Sequence, residues 1–170
     1  CALPIYPQGA LIATRAAAFA AGERKFQVLF TPSATASLQS WTPTRRALML
    51  DVLDNVRSRV FELTEVEGSW RTTEVSLPGK GAARVGPVDP DTSDAYWLVY
   101  EDFLTPSTLS VAQVGKASAE ALKSSPAFFD AKGMQVEQRM AVSKDGTRVP
   151  YFVVGRFDAH GKTPAPTLLY

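Results

Sequence analysis

The one histidine of the chain, His160, stands in the run Asp158-Ala159-His160-Gly161-Lys162. An imidazole can take the proton of a serine hydroxyl and make it a nucleophile, provided a carboxylate holds the ring. No Gly-x-Ser-x-Gly elbow occurs in the sequence to supply that serine. His160 therefore reads as a solvated turn residue rather than a base. Gly79-Lys80-Gly81 could cradle phosphate, but it lacks the spacing and trailing Ser/Thr of a P-loop. A turn between strands suits it better. Asp89, Asp91 and Asp94 are spaced like a calcium loop without its central glycine and terminal glutamate, so a solvated β-turn is expected. Cys1 is the only cysteine, which excludes a disulfide or a thiol metal site within the chain and leaves the compartment open.

Charge narrows the partners. Lys and Arg number 18 against 17 Asp and Glu, a net charge of +1. That balance gives no reason to invoke nucleic acid or an anionic membrane, and Thr44-Arg45-Arg46 and Arg57-Ser58-Arg59 read as scattered surface arginines. No apolar run approaches the roughly 20 residues that span a bilayer.

These groups would be positioned by short strands, which twelve prolines and eleven glycines punctuate. Gly9–Arg15 and Phe26–Phe30 read as strands, with alanine-rich Ala16–Gly22 between them as one or two helical turns closed by Gly22. Four more strands are expected at Ser37–Trp41, Ala47–Leu53, Arg59–Thr64 and Trp70–Ser76. The run Ala-Leu-Met-Leu-Asp-Val-Leu at Ala47–Leu53 suits a central strand covered on both faces, and polar Trp70–Ser76 suits an edge. A second group repeats the plan at Ala82–Val88, Ala95–Phe103 and Thr108–Val114. Aligning Val52-Leu53-Asp54-Asn55 with Tyr100-Glu101-Asp102-Phe103 gives an offset of 48 residues. Several strands recurring at that period mark a β-propeller, whose blades bury their faces against one another. Trp41, Trp70 and Trp97 are expected to pack between blades.

The last third changes character. Gln135–Val142 and Arg148–Val154 flank Ser143-Lys144-Asp145-Gly146-Thr147, and Asp-Gly between two β-rich runs signals a hairpin. After a short loop, Ala165–Tyr170 begins another apolar run, expected to be a strand.

Ser143-Lys144-Asp145-Gly146-Thr147 followed by Val149-Pro150-Tyr151-Phe152 resembles the entry into the α/β-hydrolase domain of the prolyl oligopeptidase family of serine peptidases. Thr167-Leu168-Leu169-Tyr170 resembles the start of that family's next strand, which ends in Leu-Tyr-Gly-Tyr-Gly-Gly. The resemblance extends back through Asp54–Leu63, similar to the family's sixth-blade hairpin, and Tyr100–Thr108, similar to its final-blade Phe-x-x-Pro turn. It implies a mostly β chain: the last blades of a seven-bladed β-propeller, then the first strands of an incomplete α/β-hydrolase domain. Residues 1–6 read as a non-native, adapter-derived start, and 7–115 as the C-terminal part of the propeller. Residues 116–133 would be a crossing segment and 134–170 the opening of the catalytic domain, so the chain is expected to be cut at both ends.

The same resemblance implies a parent enzyme that hydrolyses short peptides after proline through an acyl-enzyme, with the propeller gating access. No metal or organic cofactor is needed for that chemistry. A bacterial cytoplasm or periplasm is the expected setting. The Ser/Asp/His triad would lie downstream of Tyr170, and the oxyanion tyrosine just beyond it. No catalytic residue is assigned within the chain. The alternatives are a related oligopeptidase cutting after basic residues and a non-enzymatic propeller that binds proteins.

Overall fold

The computed structural model describes residues 6–157 and 166–169. Its first strands, β1 (Leu11–Ala13) and β2 (Gln27–Phe30), form a short antiparallel pair. Between them α1 (Ala16–Ala20) turns without a side-chain cap, and the chain leaves it through Gly22 at φ 90°. Packing on Phe19 holds so short a helix. Phe26 meets the Phe19 ring at 6.3 Å, and the Arg24 guanidinium lies 4.3 Å above it.

Two four-stranded antiparallel meanders follow. The first runs β3 (Ala36–Pro43), β4 (Ala47–Asp54), β5 (Arg57–Val66) and β6 (Ser69–Val75) in chain order. The second runs β7 (Ala82–Pro87), β8 (Ala95–Glu101), β9 (Thr108–Gln113) and β10 (Glu120–Ser124) in the same way. Sheets of this kind match the expected propeller-type organisation. Strand β4 is buried on both faces, as its apolar run requires: Met49 points one way, Leu50 and Val52 the other. Met49 and Val60 join Ala83, Tyr96, Leu98, Tyr100 and Ala112 in a core between the two meanders. On the opposite face Leu50, Val52 and Leu63 pack against Leu11, Leu29, Phe30 and Trp70. Each meander thus buries a face it could not cover alone.

Three expectations need correction. Strand β10 lies inside residues 116–133, where only a crossing segment was expected. All five of its residues are exposed, so it has no apolar alternation to read; backbone pairing to β9 and the 2.8 Å contact between Thr108 Oγ1 and Ser124 Oγ hold it. Pro166–Leu169, read as part of an apolar strand, adopt no regular structure, because no described strand pairs with them; Ala165 and Tyr170 lie outside the described residues. Of the three tryptophans only Trp70 packs in a core. Trp41 and Trp97 are exposed, and the pleat explains Trp97: Tyr96, Leu98 and Tyr100 take the buried face of β8 and leave it on the other.

The hairpin is present as read. Strands β11 (Gln135–Val142) and β12 (Arg148–Gly155) pair in register from Gln135↔Gly155 to Val142↔Arg148. Gly146 takes φ 84° at the turn, and Asp145 Oδ1 accepts the Thr147 N–H at 3.0 Å.

Candidate functional site

The hairpin rests on the turns that join the second and third strands of the two meanders. In the first turn Asn55 and Val56 both take left-handed backbone, at φ 48° and 61°. Two such residues make the tight connection between β4 and β5. A β-branched side chain there is strained. The Asn55 N–H donates to the Thr35 carbonyl at 3.0 Å, and its carbonyl accepts from Gln138 Nε2 of β11 at 2.6 Å. In the second turn Asp102 Oδ1 accepts the N–H groups of Leu104 and Thr105, while Oδ2 accepts the Tyr100 hydroxyl at 2.8 Å. Burial works to raise the Asp102 carboxyl, but these donors outweigh it and hold it below its ordinary value. The turn so fixed presents Phe103, whose ring centroid lies 5.2 Å from that of Phe152 on β12. Val56, Phe103, Pro106 and Phe152 line a cavity of about 410 Å³, with Lys80, Glu101 and Asp102 as its charged lining.

Polar ties lock the meanders behind this edge. Asp94, just before β8, accepts from the Arg46 N–H at 2.8 Å, from Arg46 Nε at 2.5 Å and from Thr44 Oγ1 at 3.3 Å. Burial pushes the Asp94 carboxyl up, and the Arg46 hydrogen bonds more than reverse that shift. Glu62, buried on β5, accepts the Tyr96 hydroxyl at 3.3 Å and the Gly115 N–H at 2.8 Å. Burial, reinforced by Glu62, raises the Tyr96 hydroxyl pKa well above its usual range.

The residues singled out by type and spacing are redistributed by this geometry. Gly79-Lys80-Gly81 forms the turn between the meanders. A Cβ at Gly79 would fall 2.7 Å from the Tyr100 hydroxyl, so close approach explains that glycine. Asp89 caps a turn, accepting the N–H groups of Asp91 and Thr92 and the Thr92 hydroxyl, as a solvated β-turn would. Asp94, by contrast, is buried and bound to Arg46, so neither belongs to a solvated turn or a loose surface patch. Arg59 is likewise fixed, by Glu74 and Asp54. The sequence held the parts of these pairs, but the partners are separated by 48 residues in one case and 15 in the other. His160 lies outside the described residues. Among the described residues, no group of three or more metal-ligating side chains gathers. What the arrangement offers is a cleft beside a docked hairpin.

No protein-family model matches the chain. An uncharacterized peptidase of Sinorhizobium fredii is 38% identical over 168 residues, which is 98% of this chain and 23% of the relative. The chain thus spans under a quarter of that relative's length. A solved prolyl endopeptidase superposes at TM-score 0.65 with 30% identity, over 79% of this chain and 19% of its own. Oligopeptidase B of Trypanosoma brucei superposes at TM-score 0.63 with 18% identity, over 79% of this chain and 20% of its own, a likeness of fold.

Proposed function

Because the chain belongs to the prolyl oligopeptidase family, we propose that it is the blade-bearing wall and the hydrolase entry hairpin of a serine peptidase acting on short peptides. The observation that carries this reading is the order of parts. Two successive meanders share a core, and a hairpin then docks on their turns through Gln138 to Asn55 and Phe152 to Phe103. In this reading the meanders are late blades of a seven-bladed propeller that admits only small, unfolded peptides. Strands β11 and β12 open an α/β-hydrolase domain. Residues 7–115 and 134–170 belong to these two units, with the fourth strand β10 extending the blade into the segment between them.

The reaction proceeds by attack of a serine outside the described residues, through an acyl-enzyme that water then resolves. The 30% identity to the solved prolyl endopeptidase supports cleavage after proline as the first reading, with cleavage after basic residues as the alternative. This chain contributes no catalytic group, so by itself it is inactive. The test is to translate the coding DNA beyond Tyr170 and express the longer product. Hydrolysis of a proline-containing chromogenic peptide, blocked by a serine-directed inhibitor, is expected. Preference for an arginine-containing peptide would replace the proline assignment, and a further blade in place of a Gly-x-Ser-x-Gly elbow would replace the enzyme with a binding scaffold.

A further inference from the structure

Arg57 begins β5 directly after the strained Asn55–Val56 turn. Its Nε is buried and meets no hydrogen-bond acceptor. Its neighbour Arg59 is in the opposite state: Glu74 accepts from its Nε at 2.8 Å and Nη2 at 2.7 Å, and Asp54 from its Nη1 at 3.2 Å. Glu74 is therefore committed, and the Arg59 hydrogen bonds hold its carboxyl below the ordinary range. A guanidinium keeps its charge at any accessible pH, and a buried donor without an acceptor is unfavourable. Arg57, Arg59 and Lys80 line a cavity of about 400 Å³ together with Glu74, Ser76 and Gly79. Among the described residues Lys80 makes no ion pair. The cleft thus sets three cations, Arg57, Arg59 and Lys80, against the one carboxylate of Glu74, which Arg59 already holds, and its surplus of positive charge lies in a space suited to a small ligand.

We propose that this cleft is a carboxylate subsite, in which Arg57 and Lys80 bind the C-terminal carboxylate of a short peptide. The planar fork of Arg57 matches a carboxylate, and Lys80 adds a mobile point charge. Lys80 also lines the second cavity, beside Val56, Phe103 and Phe152. A peptide anchored by its carboxylate between the two cations has apolar surface within reach for its preceding side chain. The choice of a peptide as ligand rests on the peptidase reading; the surplus of positive charge in the cleft does not.

The test titrates three probes separately into the isotopically labelled chain, followed by amide NMR: a blocked tripeptide acid, its C-terminal amide, and inorganic phosphate. The acid is expected to shift the amides of residues 57–59 and 79–81 saturably and to bind at least tenfold more tightly than the amide. Lys80→Ala, at an exposed position, is expected to weaken the acid at least fivefold, while Lys123→Ala on β10 leaves it unchanged. Equal binding of acid and amide, or an unaltered Lys80→Ala, overturns the subsite. Tighter binding of phosphate than of the acid at the same amides overturns the peptide as its occupant. The longer protein separates the two readings: acid-selective binding without hydrolysis defeats the peptidase and keeps the subsite, whereas hydrolysis without acid selectivity defeats the subsite alone.

Discussion

Asp94 and Asp51 are both buried carboxylates, and their surroundings give them opposite effects on stability. Asp94 is held by Arg46 and Thr44, and its native pKa is depressed. Its contribution is therefore present above the unfolded pKa, near about 4, and is lost as pH falls through the lower native value. Asp94→Ala is expected to cost about 2 kcal/mol in urea unfolding at pH 7, the scale of hydrogen bonds to a charged group. That deficit should close progressively in strong acid. Asp51, on β4, has a buried Oδ1 with no hydrogen-bond partner; burial raises its pKa, and Arg84 only partly offsets this. Here the native state holds the proton more tightly than the unfolded chain, so the penalty is absent below the unfolded pKa, grows as pH rises above it and is complete above the native one. Asp51→Asn should stabilise the chain at pH 7 by on the order of 1 kcal/mol and do nothing for it near pH 3. Urea midpoints at the two pH values check both substitutions; an Asp51→Asn loss at pH 7 would show that the carboxylate is instead structural.

At the scale of elements, turns carry more information than strands. The β5–β6 connection uses Glu67-Gly68, at φ 51° and 79°, with glycine where the left-handed backbone wants it. The β4–β5 connection needs the same geometry and places Val56 in it, with the side chain exposed. Left-handed backbone costs an L-residue roughly 1–2 kcal/mol, and little burial is lost on truncation. Val56→Gly is therefore expected to raise stability by about 1 kcal/mol, read as a higher urea midpoint at unchanged slope. Strain kept on the edge where the hairpin docks is consistent with Val56 serving that contact. A Val56→Gly chain that gains stability but loosens its hairpin would join the two effects.

The whole molecule depends on faces that single units cannot cover. Met49 is fully buried between the meanders, and Met49→Ala should cost about 3 kcal/mol, because the cavity opens in the core both sheets share. The hairpin is different. Its described side-chain ties to the meanders are one hydrogen bond and one ring pair, so it should open locally before the meanders do. Phe152→Ala is expected to speed amide hydrogen exchange across β11 and β12 and to leave β4 and β5 unchanged. Equal acceleration everywhere would mean the hairpin and meanders unfold as one.

The sequence by itself determined what local chemistry dictates. Alternation and turn residues marked most strands, the apolar Ala47–Leu53 run marked the central one, and Asp145-Gly146 marked the hairpin, because φ/ψ preference and burial pattern act over a few residues. The recurrence at 48 residues and the Ser143–Thr147 motif were also legible along the chain, and together they pointed to the family. Only tertiary structure decided the rest. Strand β10 exists because β9 offers it an edge, and Trp97 faces outward because the pleat gave Tyr96 the core. Arg46 meets Asp94, and the buried Nε of Arg57 meets no acceptor, because partners distant in sequence are chosen by how the sheets pack. No one-dimensional pattern encodes that choice, since the same charged residue reads alike whether it is solvated, paired or left waiting in a cleft.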